Sequence, residues 1–327
     1  MIKKIIYIFL GLIFFSYCIL SIDKTAPTKT LKVLTYSSFA GLYGPRKDLQ
    51  KEFESFCECN MVWFVSEDST ALLQRLHLIS DIDLVIGLDQ FHLWNIKKEN
   101  WHSIDSIQTS LNKEAMKWKN KFFIPIDWAP IGFIVRNQPF IHALKELPQI
   151  EGRLSFPEPK SSSLGLQFYY WIYEAFGGDL NKIQVFLTRL KTRIYGPVFS
   201  WSLSYGYFQK GRVDMSLSYL TSLLYHKKEQ QDLSYQFAYF KEGHPYQVEF
   251  VGVPKSSQNV SLAFEFIKLL LSPQSQNLIQ DKHYMLSVLK EQKPPALNRP
   301  PLLSYDRMNA FLKDRKNLLK QWKDILY

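Results

Sequence analysis

The sequence predicts an α/β protein of two lobes, and three observations lead there. Residues 31–35, 61–65 and 83–86 have strand composition and alternate with two helix-patterned stretches. That order is expected of a parallel sheet with right-handed crossovers. A second set of helix- and strand-patterned stretches fills residues 154–218. Two extended segments, near 122–135 and 246–254, lie between the sets and carry the chain out and back. Such an arrangement leaves a cleft between lobes, a natural ligand site that hinge motion closes.

The first strand owes its character to Leu31, Val33, Leu34 and Thr35. It runs into a loop of small residues, Ser37, Ser38, Ala40 and Gly41, with the aromatics Tyr36, Phe39 and Tyr43. Loops at the carboxyl ends of strands hold the ligands of open α/β sheets. Free amides near a helix start favour a polar guest. Residues 46–56 read as a helix, with Leu49, Phe53 and Phe56 on one face. Glu67-Asp68-Ser69 suits the cap and dipole of a helix over 70–78, whose apolar face is Leu72, Leu73 and Leu76. The third strand ends in Gly87-Leu88-Asp89.

Residues 122–126 and 132–135 read as two strands around Asp127-Trp128-Ala129-Pro130. A polar loop over 157–165 precedes a long helix through Phe176. Helices follow over 181–190 and 201–210, then a strand over 213–218 ending at Tyr219. A strand over 246–253 closes with Pro254, and helices cover 261–271 and 273–280. His283-Tyr284-Met285 is a loop, 293–301 a Pro-rich linker, and 305–327 mostly helical. The lobe boundaries expected are residues 31–126 plus 254–327 for the first and 127–253 for the second.

With 327 residues, 46% hydrophobic and 21% charged, the chain has the makings of a substantial core. Aromatics reach 15%, enough to wall a ring-shaped ligand as well as fill a core. The net charge of +10 reads as a solvated surface. There is no dense Lys/Arg run and no nucleic-acid motif, so no nucleic-acid partner is expected. Residues 1–21 read as an export signal, with Lys3 and Lys4 before an apolar run too short for a membrane span. Cleavage after Ser21, an uncleaved anchor and lipidation of Cys18 all remain open. Loss of Lys3 and Lys4 would take the charge from +10 to +8. Cys57 and Cys59 flank Glu58. In an oxidising compartment a local disulfide is preferred to two free thiols, although so short a spacer strains the geometry. No nearby His pair completes a metal site.

Several segments together resemble the periplasmic thiamine-binding proteins, the solute receptors of thiamine ABC importers. They include Leu34-Thr35-Tyr36-Ser37-Ser38-Phe39-Ala40, Phe53-Glu54-Ser55-Phe56-Cys57-Glu58-Cys59 and Gly87-Leu88-Asp89. Pro125-Ile126-Asp127, Trp201 with Tyr205-Gly206, Leu217-Ser218-Tyr219, Tyr225-His226 and Gln247-Val248-Glu249 continue the match. The resemblance spans roughly residues 31–290. It implies the type II periplasmic-binding fold, two α/β lobes joined by two hinge strands. It also implies a monomeric periplasmic receptor that delivers thiamine, or a thiamine phosphate, to an ABC permease. No cofactor and no metal are expected. Ser37 replaces the family's usual Asp, and Tyr43 and Tyr284 replace Trp.

Thiamine joins an aminopyrimidine to a cationic thiazolium and a hydroxyethyl tail. Rings and cation want aromatic faces, with Trp best. Trp201, Tyr219 and Tyr225 match ligand-contact positions, and Tyr36, Tyr43 and Tyr284 are further candidates. The amine and charge want acceptors, and Asp127 and Asp89 are expected to supply them, with Asp127 as the polar anchor. Glu67 is a further acceptor, or else a helix cap. Ser37 belongs to the same loop as Tyr36. Ser161 and Ser162, beside Ser163 and Lys160, are expected at a helix start that would hold the tail or its phosphate. Two rivals share the fold. A ferric-iron receptor would need paired tyrosines, and Tyr169-Tyr170 is the adjacent pair. A thiamine-cleaving enzyme would need a nucleophilic Cys in the cleft.

Overall fold

A computed structural model of the protein describes residues 29–94, 96–136, 141–196 and 198–327. The expected export signal and Cys18 lie outside the described residues. The first half alternates strand and helix as expected. β1 (Thr30–Tyr36), α1 (Arg46–Cys57), β2 (Asn60–Ser66), α2 (Leu72–Leu78) and β3 (Leu84–Asp89) follow one another, and a short α3 (Gln90–Leu93) starts at the end of β3. β1 lies between β2 and β3 and is parallel to both. Leu31, Val33, Leu34, Val85 and Ile86 are all fully buried, as central strands of a two-sided α/β sheet require.

β4 (Ile124–Arg136) is one continuous strand, not the two that the sequence suggests. The short polar-looking interruption at residues 127–130 is buried on both sides, so pairing continues through it. Only the partners change. Residues up to Pro130 pair with β8 (Tyr246–Gly252). From Ile131 the strand pairs with β6 (Met215–Tyr219) and β7 (Tyr235–Ala238). Pro130 sits at the changeover. It cannot donate, but its carbonyl accepts from the Leu220 amide at 2.9 Å. β4 thereby joins two blocks of sheet in the order β2-β1-β3-β8-β4-β6-β5, where β5 is Leu154–Ser155. β9 (Leu286–Ser287) pairs with the first half of β4.

The second block carries α4 (Ser163–Ala175), α5 (Leu180–Leu190) and α6 (Trp201–Gln209). A short α7 (Ser222–Tyr225) continues into a π-helical stretch, His226–Gln230, that the sequence pattern does not reveal. The chain returns through β8 to α8 (Val260–Leu270) and α9 (Pro273–Lys282), where Ser272 caps α9 ahead of its leading proline. The terminal helices, α10 (Met308–Lys313) and α11 (Arg315–Leu326), were expected with the first lobe. α11 packs instead on α5, while α10 packs on α4 and also meets Phe91 and Trp94 just beyond β3. Trp322 is buried with its ring 4.8 Å from Tyr169 and 5.6 Å from Phe156. Amphipathic spacing says that such a helix has an apolar face, not which neighbour covers it. Among the described residues no helix is long and apolar enough to cross a membrane.

Trp322→Ala should cost about 3–5 kcal/mol, the usual loss for a large buried ring. A urea titration followed by circular dichroism checks this. A loss below about 1 kcal/mol would mean that α11 is not docked this way.

Candidate functional site

The carboxyl ends of β1, β2, β6 and the middle of β8 meet the starts of α4 and α6 around a cavity of about 400 Å³. Its side walls are aromatic. Trp201 opens α6, where the Ser200 hydroxyl caps the helix by accepting from the Leu203 amide at 3.3 Å. The indole nitrogen donates to Ser218 Oγ at 2.9 Å. Tyr205 stacks on the indole at 5.4 Å and 21°. Tyr219, at the end of β6, stands 6.5 Å from the same indole. Tyr225 and Tyr284 meet edge to face at 5.6 Å, and Tyr284 donates to Glu229 at 2.8 Å. Tyr43 is 80% exposed at the rim.

The floor is acidic. Glu249 of β8 pairs across the ladder with Asp89 of β3 on one side and Asp127 of β4 on the other. All three carboxylates are buried. Directly opposed like charges are unfavourable, so each must be compensated. Asp89 caps α3, accepting from the Phe91 and His92 amides at 2.9 Å each and from the Ser163 hydroxyl. His92 Nδ1 lies 2.7 Å away. Burial alone would raise Asp89, but the His92 charge and these hydrogen bonds hold it below the ordinary carboxylate range. Burial would likewise lower His92, and Asp89 overrides it, leaving the imidazole raised. Glu249 accepts from the Tyr36 hydroxyl at 2.6 and 2.7 Å and from Gln247 Nε2 at 2.9 Å. His283 Nε2 is 2.7 Å from the same tyrosine oxygen. Burial, then the Glu249 charge, push the Tyr36 and Tyr219 hydroxyls well up. Asp127 has no hydrogen-bond donor among the described residues. Burial and then the Glu249 charge raise it well above the usual range.

Tyr36 reaches Glu249 because Gly87 lets it lie flat. Gly87 has φ +98°, and a Cβ there would stand 2.3 Å from the Tyr36 ring. The close approach of Tyr36 to both Glu249 and His283 is hydrogen-bond contact. Beside this contact, Asp127, Glu249 and His283 bring one ligand-type atom each to within 4.8 Å of one another.

The expected site residues Tyr36, Ser37, Tyr43, Glu67, Ser162, Trp201, Tyr219, Tyr225 and Tyr284 line this cavity, as does Ser163. Asp89, Asp127 and Ser161 do not. Asp89 is spent on the α3 cap. Asp127 stands beside Glu249 on the ladder but does not line the cavity, so the wall carboxylate is Glu249 rather than the expected Asp127. The Ser161 hydroxyl turns to the Phe199 carbonyl at 2.8 Å. Ser37 donates to the Glu67 carbonyl at 2.6 Å and still borders the cavity. At the start of α4, the Ser163 amide donates to Asp68 at 3.2 Å and its hydroxyl to Asp89, so neither is left for an anion. Glu249, Gln247, His283, Asp68 and Tyr205 were not among the expected contacts, and all line the wall. Gln247 and Glu249 had a legible signal: two polar residues at alternate positions of an otherwise apolar strand. Tyr169 and Tyr170 are core residues bonded to the Leu318 carbonyl and to Glu174, not a cavity-facing pair.

A cleft-like cavity between two sheet blocks joined by a shared strand is a natural place for a small ligand. Residues 106–303 match the family model of bacterial extracellular solute-binding proteins. The thiamine-binding periplasmic protein of Salmonella typhimurium is 33% identical over 268 residues, covering 79% of this chain and 80% of that one. A solved periplasmic thiamin binding protein superposes with a TM-score of 0.83 at 28% identity, covering 94% of this chain and 99% of that one. The apo ferric ion-binding protein A of Pasteurella haemolytica shares the fold alone, with TM-score 0.72, 16% identity and coverage of 91% and 98%. The chain belongs to the extracellular solute-binding proteins and, within them, to the family of thiamine-binding periplasmic proteins.

The Asp89–His92 pair predicts a two-sided pH profile. Asp89, held low, contributes stability above the carboxylate range of the unfolded chain, and this is lost as pH falls through its folded value. His92, raised, contributes below the imidazole range, and this is lost as pH rises through its folded value. Asp89→Asn should lower the urea midpoint and flatten both flanks between about pH 3 and about pH 9. An unchanged profile would show that the pair does not set it.

Proposed function

We propose that this chain is an exported receptor that captures thiamine, or a thiamine phosphate, and delivers it to the transmembrane subunits of an ABC permease. One observation carries the reading: rings of Trp201, Tyr219 and Tyr225 stand around a cavity whose floor presents the Glu249 carboxylate. A flat cation gains from aromatic faces and from a nearby acceptor, and loses little on leaving water for such a site. Gln247 Oε1, buried and without a donor among the described residues, offers the aminopyrimidine a second acceptor. Ser37 and Ser162 border the cavity as partners for the tail. The names of the similar proteins point to the same vitamin.

On this reading the two sheet blocks are the lobes and β4 is a hinge strand. Residues 31–126 and the 254–290 region form one lobe, and 127–253 with the terminal helices form the other. Residues 1–21 act as the export signal, the protein works in the periplasm, and it works as a monomer. It binds without cleaving. Cys57 and Cys59 are joined to each other at the end of α1, and neither lines the cavity.

Native mass spectrometry of the purified protein should reveal a bound molecule of thiamine or thiamine-phosphate mass. Calorimetric titration should find Trp201→Ala weaker by about 2 kcal/mol or more, as for a truncated aromatic hot spot. An unchanged affinity would remove the indole from the site.

A further inference from the structure

Glu249 has compensation on every side but one. Tyr36 and Gln247 donate to it, and Asp89 across the ladder is neutralised by His92, the α3 amides and Ser163. Asp127, its other ladder neighbour, receives nothing among the described residues. β8 presents Glu249, β1 the Tyr36 hydroxyl, β6 the Tyr219 hydroxyl, and the loop after α9 presents His283. β9 presents Ser287, whose hydroxyl donates to Gln276 and Gln292. The His283 imidazole contacts the Tyr36 hydroxyl at 2.7 Å and lies 3.9 Å from Glu249. Lys282 borders the cavity, but its chain is exposed. Two carboxylates abreast, one buried with no donor, cannot both be charged at rest.

We propose that Asp127, beside Glu249 on the ladder, holds a proton in the empty receptor, and that capture of a cationic ligand expels it. Asp127 is thus a positioning residue. It makes the floor carry one negative charge when empty and more when a fixed positive charge sits above Glu249. Only the O–H bond of the carboxylic acid breaks, and its proton leaves to solvent as the ligand's charge takes its place. A neutral ring of the same shape gains no such compensation, so the pair selects for charge. This rests on the reading that the ligand is a thiamine-like cation.

The test is isothermal titration of the intact protein with thiamine in buffers of different ionisation enthalpy, repeated across pH. Wild type should release a substantial fraction of a proton on binding. Its affinity should rise with pH, by up to about tenfold per unit while the proton is held in the free protein. Asp127→Asn should bind without releasing it and with a flattened pH dependence. Binding by wild type with no buffer dependence would overturn the proton on Asp127 while leaving the receptor reading intact. Undiminished release from Asp127→Asn would assign the proton to another group and overturn it too. Absence of any binding heat would be a failure of the thiamine reading itself, and the buffer series separates these outcomes without relying on a variant's folding.

Discussion

Three buried carboxylates standing abreast across the middle of a sheet must each find donors, a counter-charge or a proton. Most of the architecture around the cavity answers that demand. Asp89 is answered by the start of α3, by His92 and by the start of α4. Glu249 is answered by Tyr36 and Gln247. The first solution ties the β3 end to the second sheet block, because Ser163 belongs to α4. The second ties β8 to β1. At the cavity, the Ser163–Asp89 bond therefore adds a polar link between the two blocks that β4 already joins.

The aromatic walls follow a different logic. Their rings come from loops and element ends, where side chains are free of the sheet's alternation. Each is held by a local contact: Trp201 by the Ser200 cap and Ser218, Tyr284 by Glu229, Tyr36 by the space that Gly87 leaves. Such held rings are pre-organised surfaces, so little ordering cost falls on binding. An acidic floor beneath aromatic walls is a site whose chemistry favours a flat positive guest over an anion.

Much of the fold was legible, and for a plain reason. β1 to β3 and the helices between them declare themselves through apolar spacing, and the ends of those elements put Tyr36 and Ser37 at the cavity. Trp201 and Tyr219 were legible in the same way, as residues at the start of a helix and the end of a strand. Other features were not. Pro130 and Asp127 made β4 look broken, because a sequence does not say that a strand changes partners at a proline. Asp127 looked like the anchor. The register that sets Glu249 beside it depends on a strand far away in the chain.

Local pattern by itself determined the alternation of strand and helix, the capped helix starts and the supply of rings, because these depend on neighbours within a few residues. Tertiary structure alone decided which carboxylate faces the cavity, which is spent on a cap and which is left without a donor. It also decided that the last two helices cover α4 and α5. Both depend on the pairing of residues far apart in the chain, where burial removes water as an alternative partner and the charges must settle with whatever the fold brings beside them.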